Sequence, residues 1–133
     1  MRRRRVTIGG RPAVAYRGAR LADDNSAHVV AVTATGERVL DPRLDLFNHS
    51  PDGFGYGYSG SGPAQLALAI LADATGSDER AIRLHQAFKE AVIARLPQFE
   101  PWRIDADAVR ALATMLEEQG GQAAADAVGR LIT

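Results

Sequence analysis

Residues 61–76 of the chain, SGPAQLALAILADATG, decide the fold of its second half. The pair Gly62-Pro63 predicts the start of a helix, because proline is preorganised for the first helical turn. Residues 64–74 are apolar on nearly every side, which is typical of a central, buried helix. Thr75-Gly76 predicts its end, because glycine is the usual residue just after a helix.

Three more helices are predicted beyond this one. The second begins at Ser77 or Asp78 and continues to Pro97, with apolar residues at the helical period along one face. A third begins after Asp105, and Gly120-Gly121 separates it from a short last helix. We expect the first helix to lie between the second helix and a sheet.

The first forty residues predict short strands instead of helices. The candidate strands lie at residues 6–8 and 13–16. The densest β-branched run is at residues 28–33, and residues 37–40 are predicted to pair with it as the second strand of a hairpin. Residues 102–104 predict a short edge strand. Strands first and helices after indicate an α+β fold, a small N-terminal antiparallel sheet packed against a C-terminal bundle of three to four helices.

The length of 133 residues suits one domain of common size. Apolar residues make up 46% and charged residues 24% of the chain, a balance typical of a folded protein rather than a disordered one. We expect a single domain over 1–133, divided into a basic N-terminal segment at 1–5, strands at 6–40, a glycine- and aromatic-rich loop at 41–62, helices at 63–118 and an extra C-terminal helix at 119–133.

Composition excludes several classes of protein. The chain has no cysteine, which rules out disulfides, zinc knuckles and thiol catalysis. It has no run of about 18 apolar residues that could span a membrane. Its basic start is not followed by the apolar core of a secretory signal. The sequence therefore predicts a cytoplasmic protein that makes no membrane contact.

A block of basic residues opens the chain, although the net charge is zero. Arg2, Arg3, Arg4 and Arg5 could contact phosphates in a salt-dependent way, which would suit nucleic acid. The alternative is a solvated terminus that only keeps the chain soluble. Nucleic-acid binding through these arginines is therefore a secondary prediction.

The stretch 41–62 is irregular and rich in aromatic residues. Long connections without a period of their own are usually functional or mobile. Phe47, Phe54, Tyr56 and Tyr58 fall within it, and because aromatic rings need surface to pack against, we expect the loop to be pinned onto the protein. Residues two apart in an extended chain point the same way, so Tyr56 and Tyr58 should share one side. We expect one ring to be partly buried and the surface at Tyr58 to be available to a partner.

The glycine spacing of residues 55–60, GYGYSG, matches a dinucleotide-binding loop, but turn-forming residues precede it instead of a strand. A P-loop and a nucleophilic-serine elbow fail too, because a lysine and a flanking glycine are missing. Ser59, Gly60, Ser61 and Gly62 lead into a helix N-terminus, where free backbone N–H groups favour a carboxylate or phosphate. The alternative is that small residues are needed where the loop crowds against a buried helix.

The three histidines, His28, His49 and His85, show no metal-ligand spacing, so no metal or cofactor is predicted. Asn48 and His49, with Asp45 and Asp52 nearby, could assemble an acid–base group. The alternative is that such residues hydrogen-bond the backbone of the long loop.

Much of the chain resembles a known family. The resemblance is carried by LDPRLDLFNHSPDGFGYGYSGSGPAQLALAILADATG (40–76), AIRLHQAFKEAVIARLP (81–97) and PWRIDADAV (101–109). These segments resemble the uncharacterised bacterial and phage family known as domain of unknown function 6166. The resemblance covers roughly residues 14–118, and GSGP at 60–63 is its most specific part.

The resemblance implies a small domain that occurs in phages, plasmids and other mobile elements, and it implies no activity. Where the family usually has EWGYGG, this chain has GYGYSG at 55–60. That difference removes an acidic side chain and weakens the hypothesis of a catalytic carboxylate in the loop. The tail beyond Glu118 is extra to the family pattern.

These observations predict a small non-catalytic binding protein, an accessory or anti-defence factor of a phage or mobile element, whose partner is another protein. No catalytic residue is assigned. One alternative is a nucleotide- or phosphate-binding protein or small enzyme that uses the Ser-Gly turn, and another is nucleic-acid binding through the arginine block. The predicted contact residues are Asn48, His49, Tyr56, Tyr58, Ser59, Gly60, Ser61 and Gly62.

Overall fold

One antiparallel sheet and four helices make up the fold of the part of the chain that the structure describes. The structure is a computed structural model that describes residues 11–132, so Arg2, Arg3, Arg4 and Arg5 and the predicted strand at 6–8 lie outside the described residues. Its elements are β1 (Ala13–Arg20), β2 (Ala27–Thr33), β3 (Gly36–Val39), α1 (Ser61–Thr75), α2 (Asp78–Ala91), a 3-10 turn (Ile93–Arg95), β4 (Trp102–Asp105), α3 (Ala106–Glu118) and α4 (Gly121–Leu131). The predicted α+β fold is confirmed.

The sheet has the strand order β3-β2-β1-β4. Tyr16 of β1 lies opposite Ile104 of β4 and Ala31 of β2, and all three side chains are buried. The next cross-strand pair, Arg17 and Arg103, is exposed, because successive side chains of a strand point to opposite faces. The predicted edge strand at 102–104 is confirmed as β4, which follows α2 in the chain yet completes the sheet.

Helix α1 is the centre of the fold. The predicted core residues are all fully buried: Leu66, Ile70, Leu71, Phe88 and Val92. On one side α1 packs against α2. On the other side Asp73 of α1 accepts a hydrogen bond from the Tyr16 hydroxyl at 2.6 Å and pairs with Arg38 of β3 at 3.0 Å. Helix α1 therefore lies between the sheet and α2, as predicted.

Helix α2 ends earlier than its apolar pattern predicts. It stops at Ala91, and the 3-10 turn follows before Pro97. In a longer helix the Ile93 carbonyl would face Pro97, which has no N–H to donate. Instead this carbonyl accepts the backbone N–H of Gly57 at 3.0 Å and that of Leu96 at 3.2 Å. The early end of α2 thus provides an attachment point for the loop that precedes α1.

The residues that precede α2 and α3 differ in how they bond the helix. Ser77 caps α2, and its Oγ accepts the Arg80 N–H at 3.1 Å. Asp105 occupies the cap position of α3, but its carboxylate bonds Arg103 at 3.3 Å rather than a helix N–H. Within residues 11–132 no helix combines the length and the apolar character that crossing a bilayer demands.

Candidate functional site

The segment between β3 and α1, residues 40–60, is the candidate site, and we call it the β3–α1 loop. Its first half is held by Gln65 of α1, which has no exposed surface. The Gln65 Nε2 donates to the carbonyls of Pro42 at 2.6 Å and Phe47 at 2.9 Å. The Oε1 accepts the backbone N–H groups of His49 at 2.7 Å and Ser50 at 3.1 Å. The amide therefore uses its two donors and both acceptor positions on the loop backbone.

A second buried side chain, Arg43, ties the same half of the loop to α2. Its guanidinium bonds both carboxylate oxygens of Asp45 at 3.0 and 3.1 Å and both oxygens of Asp78 at 3.0 Å. Burial alone would lower the pKa of Arg43, but hydrogen bonds to the two carboxylates raise it above its ordinary value. Both carboxylate oxygens of Asp45, which the sequence suggested as part of an acid–base group with His49, are thus bound by Arg43.

His49 and His85 form a pair that sequence spacing did not predict. Their Nε2 atoms lie 2.9 Å apart, and His85, on α2, is only 3% exposed. The His85 Nδ1 faces the Ile82 carbonyl at 2.8 Å. A neutral His85 therefore carries its hydrogen on Nδ1, and its Nε2 accepts the Nε2–H of His49. The Phe47 ring stacks on the His49 ring, with centroids 4.3 Å apart and planes 2° from parallel.

The surroundings of His49 favour its neutral imidazole. Burial, the adjacent His85 and the positive charge of Lys89 lower the pKa of His49 below its ordinary value. Among the described residues, no group of three or more His, Cys, Asp and Glu side chains is arranged to hold a metal ion. Within the described part of the chain, His49 and His85 therefore join the β3–α1 loop to α2 through a hydrogen bond.

The second half of the loop separates its two tyrosines. Tyr56 is fully buried and meets the Trp102 indole edge to face at 5.3 Å, whereas Tyr58 is 45% exposed. The split in burial is confirmed, but the extended geometry that would place both rings on one side is wrong. Gly57 between them has φ +83°, which turns the chain, and a Cβ there would lie 2.6 Å from the Gln98 backbone.

The Tyr58 ring packs against the Ser-Gly turn, residues 59–62. A Cβ at Gly60 or Gly62 would come within 3.0 or 3.1 Å of Tyr58 atoms, so small residues make room for the ring. Ser59 Oγ donates to the Glu90 carboxylate of α2 at 2.9 Å. Ser61 is exposed and begins α1, whose N-cap is Gly60 without a side-chain hydrogen bond. This geometry supports the crowding interpretation over the anion-site interpretation.

The two halves of the loop meet the same helix. His49 contacts His85 and Ser59 contacts Glu90, and five residues of helix correspond to about 7.5 Å along its axis. Lys89, which pairs with Glu90 at 3.1 Å, lies between these contacts in sequence. Asn48 is exposed. Of the predicted site residues, His49 and Ser59 therefore contact α2 at two separate positions, whereas Tyr56 lies in the core.

Gln65 and His85 are among the residues that organise the loop, and neither was predicted from the sequence. Gln65 carried a usable signal, because it is the one polar residue in the otherwise apolar run 64–72, and buried amides are almost always hydrogen-bonded. His85 carried no signal, since it shares α2 with several other polar residues and its partner is 36 positions away.

A search of curated proteins and a search of solved structures found no match to this chain. A family model, described as a family of unknown function, matches residues 16–115. The matched span begins in β1 and ends in α3, so it contains the whole β3–α1 loop and excludes α4. Since the match covers most of its length, the chain belongs to the family of unknown function DUF6166.

Proposed function

We propose that the protein is a non-catalytic binding protein that contacts another protein through the β3–α1 loop. The observation that carries the proposal is the combination of fixed backbone and exposed aromatic rings in this loop. The buried side chains of Gln65 and Arg43 hold its first half by hydrogen bonds, while Phe47 is 48% exposed and Tyr58 45% exposed. Binding residues are often found on loops that a rigid scaffold positions.

The exposed groups near the loop have the chemistry of a protein contact surface. Tyrosine, phenylalanine and arginine are enriched where proteins meet. Besides Phe47 and Tyr58, Phe99 is 67% exposed, and the Arg20 guanidinium lies 5.5 Å from its ring centroid and 4.8 Å from that of Tyr56. A loop held in one conformation before binding loses less conformational freedom on association, which favours affinity.

The cellular setting of the proposal comes from the family resemblance. A small domain found in phages, plasmids and other mobile elements would act in the cytoplasm, as an accessory or anti-defence factor that binds a host or element protein. The partner would then be present only in cells that carry the mobile element or the host protein that it targets. Extracts of such cells are therefore the source in which to look for the partner.

Photo-crosslinking from defined positions tests the proposal. A photoreactive phenylalanine analogue is placed at Phe47, at Tyr58 or, as control, at Val39, which is 80% exposed on β3. We expect the same partner to be captured from Phe47 and Tyr58, to be absent from Val39, and to be displaced by excess unlabelled protein. Equal capture from all three positions, or none from the loop, would overturn the proposal.

Two further measurements address the alternatives. If the Ser-Gly turn binds nucleotides or phosphate, a ligand at about 100 times its dissociation constant should stabilise the protein by nearly 3 kcal/mol in a thermal-shift experiment. If Arg2, Arg3, Arg4 and Arg5 bind nucleic acid, removal of residues 1–5 should abolish a binding signal that weakens steeply with salt. Under our proposal, neither effect is observed.

A further inference from the structure

We propose that His49 and His85 form a proton-operated latch, which holds the Phe47–Ser50 part of the β3–α1 loop on α2 at neutral pH and releases it in acid. The latch concerns regulation of the loop, and only its biological use rests on the proposed function. Loop release is measured on the isolated protein without any partner. A failed latch and a failed contact site are therefore distinguishable.

The hydrogen bonding of the pair limits how many protons it can hold. The His85 Nδ1–H is committed to the Ile82 carbonyl, so in the neutral pair His49 donates its Nε2–H to the His85 Nε2 across 2.9 Å. One extra proton can enter at the His49 Nδ1 without disturbing this bond. A second must enter at the His85 Nε2, and two N–H groups then face each other where one hydrogen bond stood. The fully charged pair cannot keep the contact.

The charge that opposes protonation of His49 comes from α2. Helix α2 presents His85 and the mostly buried Lys89, which pairs with Glu90 at 3.1 Å. Helix α1 presents the neutral Gln65 amide to the same backbone, and the loop presents the apolar ring of Phe47. Burial, the adjacent His85 and the positive charge of Lys89 lower the pKa of His49, consistent with a neutral His49 imidazole at physiological pH.

The contacts that would open with the latch form a small unit. The His49 and Ser50 amides donate to Gln65, and the Phe47 ring leans on the His49 imidazole. Arg43 anchors the chain just before this unit, through Asp78 of α2. Release of His49 should therefore expose residues 47–50 to solvent while residues 41–45 stay attached.

Hydrogen exchange followed by NMR tests the latch, with a chelator present to exclude adventitious metal. Between about pH 7.5 and about pH 5, protection of the His49 and Ser50 amides, corrected for intrinsic exchange, is expected to fall about tenfold, the equivalent of losing one hydrogen bond. Amides in β1 and β2 should show no such loss. The imidazole signals of His49 should shift over the same pH range as the loss of protection.

Two matched variants identify the residue responsible. His85→Gln keeps an acceptor for the His49 N–H but cannot be protonated, so its loop amides should stay protected in acid. His28→Gln removes an exposed histidine of β2 and should behave like the unaltered protein. The latch is overturned if His85→Gln loses protection to the same extent as the unaltered protein. It is also overturned if both imidazoles become charged in the unaltered protein while the amides stay protected, a result that needs no variant to fold.

Discussion

The Oε1 atom of Gln65 accepts the backbone N–H of His49 at 2.7 Å, so a fully buried side chain of the central helix sets the position of a loop residue at the surface. The same amide donates to the carbonyls of Pro42 and Phe47 and accepts the N–H of Ser50. The order of the first half of the β3–α1 loop is therefore decided inside α1. Changes at position 65 should act on the loop and on global stability together.

Replacing Gln65 with alanine should lower the free energy of unfolding by about 3 kcal/mol or more, because four loop backbone groups lose their partners. Urea unfolding measures the loss. The exposed Gln86 of α2 provides the matched control, and Gln86→Ala should change stability by less than about 0.5 kcal/mol. Equal effects at the two positions would mean that the Gln65 hydrogen bonds do not hold the loop.

Two fully buried tyrosines should differ in their response to loss of the hydroxyl. The Tyr16 hydroxyl donates to the Asp73 carboxylate at 2.6 Å, so Tyr16→Phe should cost about 1.5–3 kcal/mol. The Tyr56 hydroxyl makes no hydrogen bond of ordinary geometry within residues 11–132 and has the Trp102 indole beside it, so Tyr56→Phe should cost less than Tyr16→Phe. Both variants can be compared by thermal unfolding. A larger loss at Tyr56 than at Tyr16 would contradict the assigned hydrogen bonds.

The double variant Tyr58→Ala with Ser61→Ala tests the contact surface. Because Tyr58 is 45% exposed and Ser61 is exposed, the fold should survive with a loss below about 2 kcal/mol, well under that of a buried aromatic. Partner capture by photo-crosslinking from Phe47 should disappear. Full capture with an intact fold would show that this part of the loop is not used, and unfolding would show that Tyr58 belongs to the core.

Stability should fall in acid because of His49. Its pKa is lower in the folded state, so the unfolded chain takes up this proton first as the pH drops below the ordinary value of about 6.5. The stabilisation is therefore complete above that pH and is lost as the pH decreases through the folded-state pKa. Urea unfolding at about pH 7.5 and about pH 5 should show a smaller pH dependence in His49→Gln than in the unaltered protein. If the pH dependence of stability in His49→Gln equals that of the unaltered protein, His49 does not cause the loss of stability in acid.

Two isoleucines on adjacent helices test the layering of the fold. Ile70 of α1 has no exposed surface, and Ile70→Ala should cost about 2–5 kcal/mol. Ile82 of α2 is 42% exposed, so the same change there should cost much less. Chemical unfolding of the two variants gives the comparison. A loss below about 0.5 kcal/mol at Ile70 would mean that α1 is not the central layer.

Within residues 11–132, the sequence by itself was enough to predict the order of the elements and their layers. An apolar run bounded by Gly62-Pro63 and Thr75-Gly76 predicts a buried helix, and strand patterns before it predict the sheet, because these signals depend on neighbouring residues. The edge strand at 102–104 and the start of α2 at Ser77 or Asp78 were predicted on the same local basis. The end of α2 was misplaced, since it depends on a carbonyl that bonds Gly57 from a different segment.

Only the tertiary structure decided how the loop is held and which of its rings are exposed. Tyr56 and Tyr58 are two residues apart, yet one is buried and one half exposed, because the chain turns at Gly57 against Gln98. His49 and His85 are 36 residues apart in sequence, yet their Nε2 atoms lie 2.9 Å apart, because hydrogen bonds of Gln65 and Arg43 hold the loop beside α2. Such contacts join residues through buried hydrogen bonds rather than through sequence spacing, and no local pattern encodes the partner of a buried polar group.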